Sequence, residues 1–225
     1  MKSNITLIFT RHKEGGICTV NALLQIIEAV NPDVIFEELS EALFKEAYET
    51  NTLNNLESVA IRAYILKHLL PHVPVDTYPR TSKYNEDQSV LSQKLTESAG
   101  YESAQLRGFL DQVYAIGSKY GFTYLNDSAN DENMDKVESL KQAVLRKLDD
   151  PKLRELYRKD KEVILKREDV MLDNVYRYAA ENPFIKGLMF VGSGHRKAMM
   201  KKIEKRNETE GIKINWKFYQ ELIIK

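Results

Sequence analysis

Four short apolar runs along the chain have the length and composition of buried strands. They cover residues 5–10, 33–39, 73–78 and 187–192, and most are rich in valine, isoleucine and phenylalanine. Such runs are typical of strands that are covered on both faces of a parallel sheet. The segment between the first two runs, 19–32, repeats apolar side chains at helical spacing and reaches a proline at its end. This strand–helix–strand order predicts a parallel crossover unit.

The C-terminal part of the chain continues the alternation of strands and helices. Residues 196–206 follow the fourth run and indicate a further helix, whereas 212–220 alternate apolar with polar side chains. This alternation is typical of an edge strand with one solvent-facing side, and its apolar members are Ile212, Ile214, Trp216 and Phe218. The elements together predict an α/β fold with a mainly parallel sheet flanked by helices, in a single domain that spans residues 1–225.

The middle of the chain, residues 81–183, is almost wholly helical in pattern. Pro151 can open its longest helix and Pro183 can close it. Breaks in the pattern divide the region into three helices and a loop, and they fall at Gly100, Gly117 and 121–133. We interpret the region as a large helical insertion that forms a cap over the carboxyl edge of the sheet.

Composition narrows the classes of function. Lysine and arginine together count 33, as do aspartate and glutamate, so no global field attracts nucleic acid or an anionic membrane. No apolar run approaches the roughly 20 residues that span a bilayer. The single cysteine, Cys18, fits a reducing compartment, and it is better explained as a small semi-buried apolar side chain than as a nucleophile. We therefore expect a soluble cytoplasmic protein that binds neither nucleic acid nor membranes.

Polar side chains stand where the predicted strands end. His12 follows the first strand, Glu37 and Glu38 end the second, Asp76 lies in the third, and His195 follows the fourth. Ligands of open parallel sheets bind beyond the carboxyl ends of the strands. We therefore expect these side chains to converge at one edge of the sheet. The two histidines should be close enough to share a metal or one bound ligand, with one of the glutamates adjacent.

The turn "GSGH" and the strand "FEEL" carry the most specific local signals. Gly192 and Gly194 permit a positive φ and a close approach of the backbone to a ligand. The N-terminus of the following helix is expected to keep the His195 imidazole neutral, fit to bind a metal or donate a hydrogen bond. In "FEEL" the glutamates point to opposite faces, and an unpaired carboxylate in a buried strand is costly. A histidine, an arginine or a metal is therefore expected as a partner.

The motifs, in chain order, are a histidine that ends the first strand, "PDVIFEEL", an "R-x-D-x-M" segment late in a long helix, and "FVGSGH". This order resembles the superfamily that joins TraB and Tiki proteins with the erythromycin esterase and ChaN-like proteins. That family typically has two G-x-x-H motifs, a PDVV-x-x-EL strand and an arginine on a helix before the second histidine. The resemblance assigns the family glutamate to Glu38, the arginine to Arg167 and the second motif to residues 192–195. In the first motif Phe9 replaces the usual glycine, while His12 is kept.

The resemblance implies a hydrolase of the peptidase or esterase type, acting on a small-molecule or peptide substrate. Tiki-like members are described as metal-dependent, which implies a divalent ion (Mn, Co or Zn) held by His12, His195 and Glu38. An open coordination position would activate water. Glu37 or Asp76 would then act as a base or support the metal ligands. Arg167 would stabilise a developing oxyanion or fix a substrate carboxylate.

Two alternatives remain open. Without a metal, one histidine can act as a general base on water, oriented by Glu38. ChaN-like members bind haem, so a non-catalytic role with an axial histidine is the second alternative. An aromatic or methionine-rich wall for haem could come from Tyr114, Tyr120, Tyr124, Met199 and Met200, although such residues are more often core. The amphipathic last strand could also pair in a homodimer.

Two further expectations concern the long helix and the second histidine. Arg167 should face the same cavity as the histidines, because one helical stripe continues from it through Met171, Asn174 and Tyr178. The substitution His195→Ala should abolish hydrolysis or ligand uptake while leaving thermal stability nearly unchanged.

Overall fold

The computed structural model describes residues 3–77, 81–209, 211 and 213–219. Within these residues the strands are β1 (Asn4–Thr10), β2 (Val34–Glu37), β3 (His72–Pro74), β4 (Lys186–Gly192) and β5 (Asn215–Phe218). The helices are α1 (Val20–Val30), α2 (Glu41–Tyr48), α3 (Leu56–Ile65), α4 (Ser82–Glu97), α5 (Tyr101–Leu125), α6 (Ser128–Leu148), α7 (Pro151–Glu181) and α8 (Arg196–Thr209). A short 3-10 turn, Ser193–His195, joins β4 to α8.

The described strands form one parallel sheet in the order β3-β2-β4-β1-β5. Strands β1 and β4 pair along their whole length, from Asn4 opposite Lys186 to Thr10 opposite Gly192. This confirms the predicted mainly parallel α/β fold, with the first and fourth apolar runs in one sheet. Strand β4 lies between β1 and β2, so the first two strands are not neighbours.

Helices cover both faces of the sheet because the central strands are apolar on both sides. The second half of α7 and helix α8 pack on one face, where Phe9 and Met189 meet Met171 and Met199. Helices α1 and α3 and the end of α5 pack on the other face. Every residue of β2 is buried. The continuous apolar runs of the sequence therefore correspond to two-sided burial.

The helical insertion forms a cap with a hydrophobic core of its own. Helices α4, α5 and α6 and the first half of α7 supply that core, which consists of Leu91, Leu95, Leu106, Phe109, Val137, Val144, Leu145, Leu153 and Tyr157. Helix α7 begins at Pro151 and ends at Glu181, just before Pro183, as the sequence indicates. This long helix runs from the cap onto the sheet, so its middle reaches the carboxyl edge.

The predicted loop at 121–133 is wrong. Helix α5 continues through Gly117 to residue 125, bends at Gly121 (φ 63°), and α6 starts at Ser128. Asp127 caps α6 by accepting the N–H of Ala129. Polar residues that cap helices have the same composition as loop residues, which is why the pattern was misleading.

Three smaller points complete the comparison with the sequence pattern. The predicted third strand (73–78) is shorter in the structure, and residue 78 lies outside the described residues. The last strand forms at the sheet edge with Trp216 buried, whereas Ile212 lies outside the described residues. Among the described helices, none combines the length and apolar character required to cross a membrane.

Candidate active site at the carboxyl edge of the sheet

Glu38 is the centre of the candidate site. It follows β2, and its side chain is 8% exposed. Arg167 donates from Nη2 to Oε1 over 2.7 Å, and the Gly192 N–H donates to Oε2 over 2.6 Å. Burial alone would raise the pKa of this carboxyl group. The hydrogen bond and charge of His195, together with the charges of His12 and Arg167, outweigh burial and hold the pKa well below its usual range.

His195 lies between two carboxylates. Its Nδ1 is 2.8 Å from Oε1 of Glu168, and its Nε2 is 3.4 Å from Oε1 of Glu38. Burial would lower the pKa of the imidazole, but hydrogen bonds and charges of Glu168 and Glu38 raise it to about 9. The expected neutral imidazole is therefore wrong. A helix N-terminus contributes roughly 0.3–1 kcal/mol, less than one pKa unit, whereas two adjacent carboxylates contribute more.

His12 has one buried carboxylate behind it. Its Nδ1 lies 3.3 Å from Oε1 of Glu57, whose side chain is 9% exposed, while the imidazole itself is 59% exposed. Thr10 donates its hydroxyl to the same glutamate oxygen over 2.6 Å. The hydrogen bond with Glu57 raises the pKa of His12 against the effect of burial, and the charges of Glu57 and Glu38 add to the rise. Glu57 therefore orients the imidazole from its Nδ1 side, and much of the ring remains exposed.

The two histidines flank the same carboxylate. A Cβ placed on Gly192 would lie 3.3 Å from Oε2 of Glu38 and 3.7 Å from Nε2 of His12. Gly192 thus lets the side chains of Glu38 and His12 approach its backbone closely. Neither glycine uses the positive φ that it permits, because Gly192 has a φ of −56° and Gly194 is not among the described glycines with positive φ. The 3-10 turn uses ordinary right-handed dihedrals, and a Cβ on Gly194 would meet only open space.

Arg167 joins the cap helix to the strand ends. It donates from Nε to both carboxylate oxygens of Asp76 over 3.1 Å, and from Nη2 to Oδ2 over 2.6 Å. The same helical stripe continues as expected. Asn174 donates to the Val75 carbonyl over 2.7 Å, and Met171 is fully buried against the sheet. Arg167 therefore faces the site and ties Glu38 to Asp76.

Glu37 has hydrogen-bond partners of its own, although it also lines a small pocket with His12, Glu38 and Glu57. It points to the other face of β2, is 2% exposed, and accepts the Tyr48 hydroxyl over 2.5 Å. Nδ1 of His72 lies 2.9 Å from its other oxygen. Burial raises the pKa of Glu37 against the effect of these two partners. The partners expected for both glutamates of "FEEL" are present. Both oxygens of Glu37 interact with Tyr48 and His72, and not with the partners of Glu38.

A cavity of about 670 Å³ opens in front of the cluster. Four of the predicted residues lie on its wall, namely His12, Glu38, Asp76 and Arg167. The remaining lining residues come from α2, α4, α7 and the loop before α3, and they are Leu39, Leu43, Glu46, Leu53, Asn55, Thr77, Thr81, Tyr84, Asn85 and Val163. His195 is not part of this wall. It supports Glu38 from behind.

We expected a divalent metal because histidine and glutamate side chains are common metal ligands. The arrangement of His12, His195 and Glu38 does not fit a metal ion held by all three. Both oxygens of Glu38 accept strong hydrogen bonds, from Arg167 and from Gly192. Among the described residues, no group of three or more histidine, cysteine, aspartate or glutamate side chains is arranged to hold a metal ion. Metal dependence stays a prediction.

The residues suggested for a haem wall do not line this cavity. Tyr114 and Tyr120 are more than half exposed on α5, whereas Tyr124 and Met199 are buried in the cores on opposite faces of the sheet. Cys18 is fully buried, and burial raises the pKa of its thiol. Such a thiol is a core side chain rather than an activated nucleophile.

Two residues of the site were missed in the sequence, Glu57 and Glu168. Glu168 follows the family-like Arg167 directly, but it lies in a helix segment crowded with charges of both signs. Glu57 lies in the first turn of α3, where acidic residues are common for helix-dipole reasons. Each is buried, and each has one carboxylate oxygen without a hydrogen-bond partner among the described residues. Burial is the property that distinguishes them, and sequence does not report it.

No family model, no curated protein and no solved structure matches the chain. The resemblance to the TraB and Tiki superfamily therefore stays a prediction from the motifs, and the function must be argued from the site.

Proposed function

We propose that the protein hydrolyses a carboxylic acyl compound, an ester or a peptide, with His12 as the general base. One observation carries the proposal. His12, oriented by the buried Glu57, lies on the wall of both the large cavity and a small void of about 10 Å³ whose wall has polar and apolar parts. A void of roughly 10–15 Å³ holds one water molecule. A base between a water-sized void and a substrate-sized cavity has the arrangement that hydrolysis requires.

The walls of the small void suit a reactive water molecule. They include Thr10, Glu38, Asn55 and Glu57 as well as His12. Nε2 of a neutral His12, on the side of the ring away from Glu57, can accept a hydrogen bond from this water. That hydrogen bond orients the water and raises the electron density on its oxygen.

The proton path then follows from the same residues. His12 removes a proton from water as its oxygen attacks the acyl carbon and the carbonyl oxygen becomes an oxyanion. When the tetrahedral intermediate collapses, the bond to the leaving oxygen or nitrogen breaks, and the His12 imidazolium returns the proton to that atom. The products are a carboxylic acid and an alcohol or amine, so water is consumed and no other reactant is needed. Glu57 keeps the imidazole in one tautomer throughout.

Arg167 is the candidate group for the oxyanion. Its Nε and Nη2 are held by Asp76 and Glu38, and no described residue accepts a hydrogen bond from Nη1. A fixed guanidinium with one free N–H pair needs little reorganisation when negative charge develops. His195 acts through Glu38, because its positive charge balances the carboxylate that fixes Arg167.

Chromogenic substrates test the proposal. Purified protein is assayed with 4-nitrophenyl butyrate, a lactone and a peptide coumarin amide, with and without a chelator. We expect turnover of at least one substrate class, and a loss of roughly 10²–10⁴-fold in His12→Gln, the usual contribution of a general base. His68→Gln is the matched control, because His68 stacks on Tyr64 at the end of α3 and is not part of the cavity wall.

The outcomes separate the alternatives. Equal rates for His12→Gln and the wild type, or no turnover across the panel, would contradict the proposed function. Activity that chelation abolishes and Mn, Co or Zn restores would show a metal-dependent reaction instead. An absorption spectrum of the purified protein tests the haem alternative in the same preparation.

A further inference from the structure

The described wall of the 670 Å³ cavity carries more negative than positive charge. Its carboxylates are Glu38, Glu46 and Asp76, whereas its only guanidinium or ammonium group is that of Arg167. Two nearby lysines, Lys83 and Lys166, line a neighbouring groove instead. A cleft lined mainly by one sign of charge concentrates ligands of the opposite sign.

Arg167 does not make the cavity wall attractive to an anionic ligand. Its Nε and Nη2 are bound by Asp76 and Glu38, with distances from 2.6 to 3.1 Å. A guanidinium that is shared by two carboxylates can donate one more hydrogen bond to a neutral carbonyl. It has no positive charge in excess for a substrate carboxylate. The sequence-based alternative in which Arg167 fixes a substrate carboxylate is therefore disfavoured.

Glu46 is the carboxylate in the wall that is available to a ligand. No described residue forms a hydrogen bond or an ion pair with its side chain, and the residue is exposed. It lies one helical turn after Leu43 on α2, so both side chains face the cavity. An aliphatic wall beside a free carboxylate suits an aliphatic chain that ends in a cation.

The segment around Glu46 is held in place. The Glu46 carbonyl accepts the N–H groups of Thr52 and Leu53, which fixes the loop after α2. Arg62 ties the same loop from the other side by donating to the Ala47 carbonyl over 2.6 Å and to the Leu53 carbonyl over 3.4 Å. A carboxylate on a fixed backbone segment binds a cation without the loss of loop entropy that a mobile segment would incur.

We propose that the cavity selects acyl substrates that carry a positively charged nitrogen, with Glu46 as the residue that recognises the cation. The inference rests on the proposed hydrolysis and names its substrate class. The acyl carbon lies at the His12 end, and the aliphatic part contacts Leu43 and Leu53 on the wall. The cationic group lies at Glu46.

A pair of isosteric esters tests the inference. One is 4-nitrophenyl 4-(trimethylammonio)butanoate, and the other is 4-nitrophenyl 5,5-dimethylhexanoate, in which carbon replaces the charged nitrogen. The wild-type protein should show a higher kcat/KM for the cationic ester, by up to about fivefold, the upper limit for one exposed ion pair. Glu46→Gln should remove most of this preference by lowering kcat/KM for the cationic ester more than for the neutral ester. Higher salt should reduce the preference in the wild type.

The matched control is Glu49→Gln, which removes the same charge at the end of the same helix but not from the cavity wall. It should keep the wild-type preference. Hydrolysis of both esters with equal kcat/KM, or a preference unchanged in Glu46→Gln, would overturn the inference and leave the hydrolase proposal standing. Failure to hydrolyse either ester or any member of the earlier panel would instead overturn the proposed function itself.

Discussion

Nδ1 of His195 lies 2.8 Å from Oε1 of Glu168, a residue that is 1% exposed on the cap helix that also carries Arg167. This contact fixes the orientation of the imidazole and favours its charged form. Glu38 lies near the other nitrogen of the ring. His195 is therefore a charged imidazolium between two buried carboxylates and not the neutral metal ligand that the sequence suggested.

The charge of His195 predicts a pH-dependent stability. The folded pKa of about 9 is above the usual 6.5, so its contribution is complete below pH 6.5 and is lost as the pH rises through 9. A shift of this size corresponds to a decrease in the free energy of unfolding on the order of 3 kcal/mol between those pH values. Urea unfolding at a series of pH values between 6 and 10 measures it.

The variant His195→Gln isolates this contribution from other groups that titrate in the same range, such as the buried Cys18. Its unfolding free energy should decline less steeply with pH, and it should be lower than that of the wild type at pH 7. The near-neutral effect on stability expected from the sequence for His195→Ala is revised for the same reason. Removing the imidazole takes a positive charge from between two buried carboxylates and leaves Glu38 with Arg167 and Glu168 with Lys202 as the remaining cations. Parallel pH profiles for the wild type and the glutamine variant would contradict this account.

Arg167→Met should be strongly destabilising. The substitution keeps an unbranched apolar stem but leaves Glu38 and Asp76, 8% and 9% exposed, without their shared cation. Breaking a buried ion pair from one side costs about 3–5 kcal/mol. Arg154→Met is the control, because Arg154 forms an exposed pair with Asp149 and should change stability by less than about 1 kcal/mol. Similar unfolding midpoints for the two variants would show that the buried cluster is not a stabilising network.

The sequence predicts the parts of the molecule that depend on periodicity. Continuous apolar runs predict β1, β2 and β4, and the rule that ligands bind at the carboxyl edge brings His12, Glu38 and Asp76 to one site. Arg167 was assigned to that site by the family resemblance. Glu38 was predictable because a carboxylate at the end of a buried strand requires a partner. The partner was present as Arg167, 129 residues away.

The parts that the sequence does not predict depend on tertiary burial. Glu57 and Glu168 look like ordinary charges on helix surfaces, and only the packing of α3 and α7 against the strand ends buries them. Asn126 resembles a loop residue for a similar reason. It accepts the Phe9 N–H and donates to the Phe9 carbonyl, each over 2.9 Å, as a neighbouring strand would. A single side chain that forms the hydrogen bonds of a neighbouring strand leaves no periodic pattern in the sequence.

Asn126→Ala should destabilise the junction between the cap and β1. The N–H and carbonyl of Phe9, a residue 1% exposed, would both lose their partner, and each unsatisfied buried group costs about 1–3 kcal/mol. A loss of at least about 2 kcal/mol is expected in denaturant unfolding. Asn182→Ala, at the exposed end of α7, should stay within about 0.5 kcal/mol of the wild type. A small effect in both variants would mean that water replaces the Asn126 side chain at β1.

Glu57 should set the pH dependence of catalysis through His12, because its hydrogen bond is the largest cause of the raised pKa of that imidazole. A general base must be neutral, so kcat/KM should rise with pH as His12 loses its proton. Glu57→Gln removes the charge that stabilises the imidazolium. The acid limb of the profile should therefore move to lower pH, while the maximal rate falls because a weaker base accepts the proton. Glu28→Gln, an exposed change on α1, should leave the profile unchanged. The C–H resonances of His12 in an NMR titration should show the same shift of the pKa without any substrate. If Glu57→Gln lowered the rate but moved neither the profile nor the titration, Glu57 would be a structural residue and not the group that tunes His12.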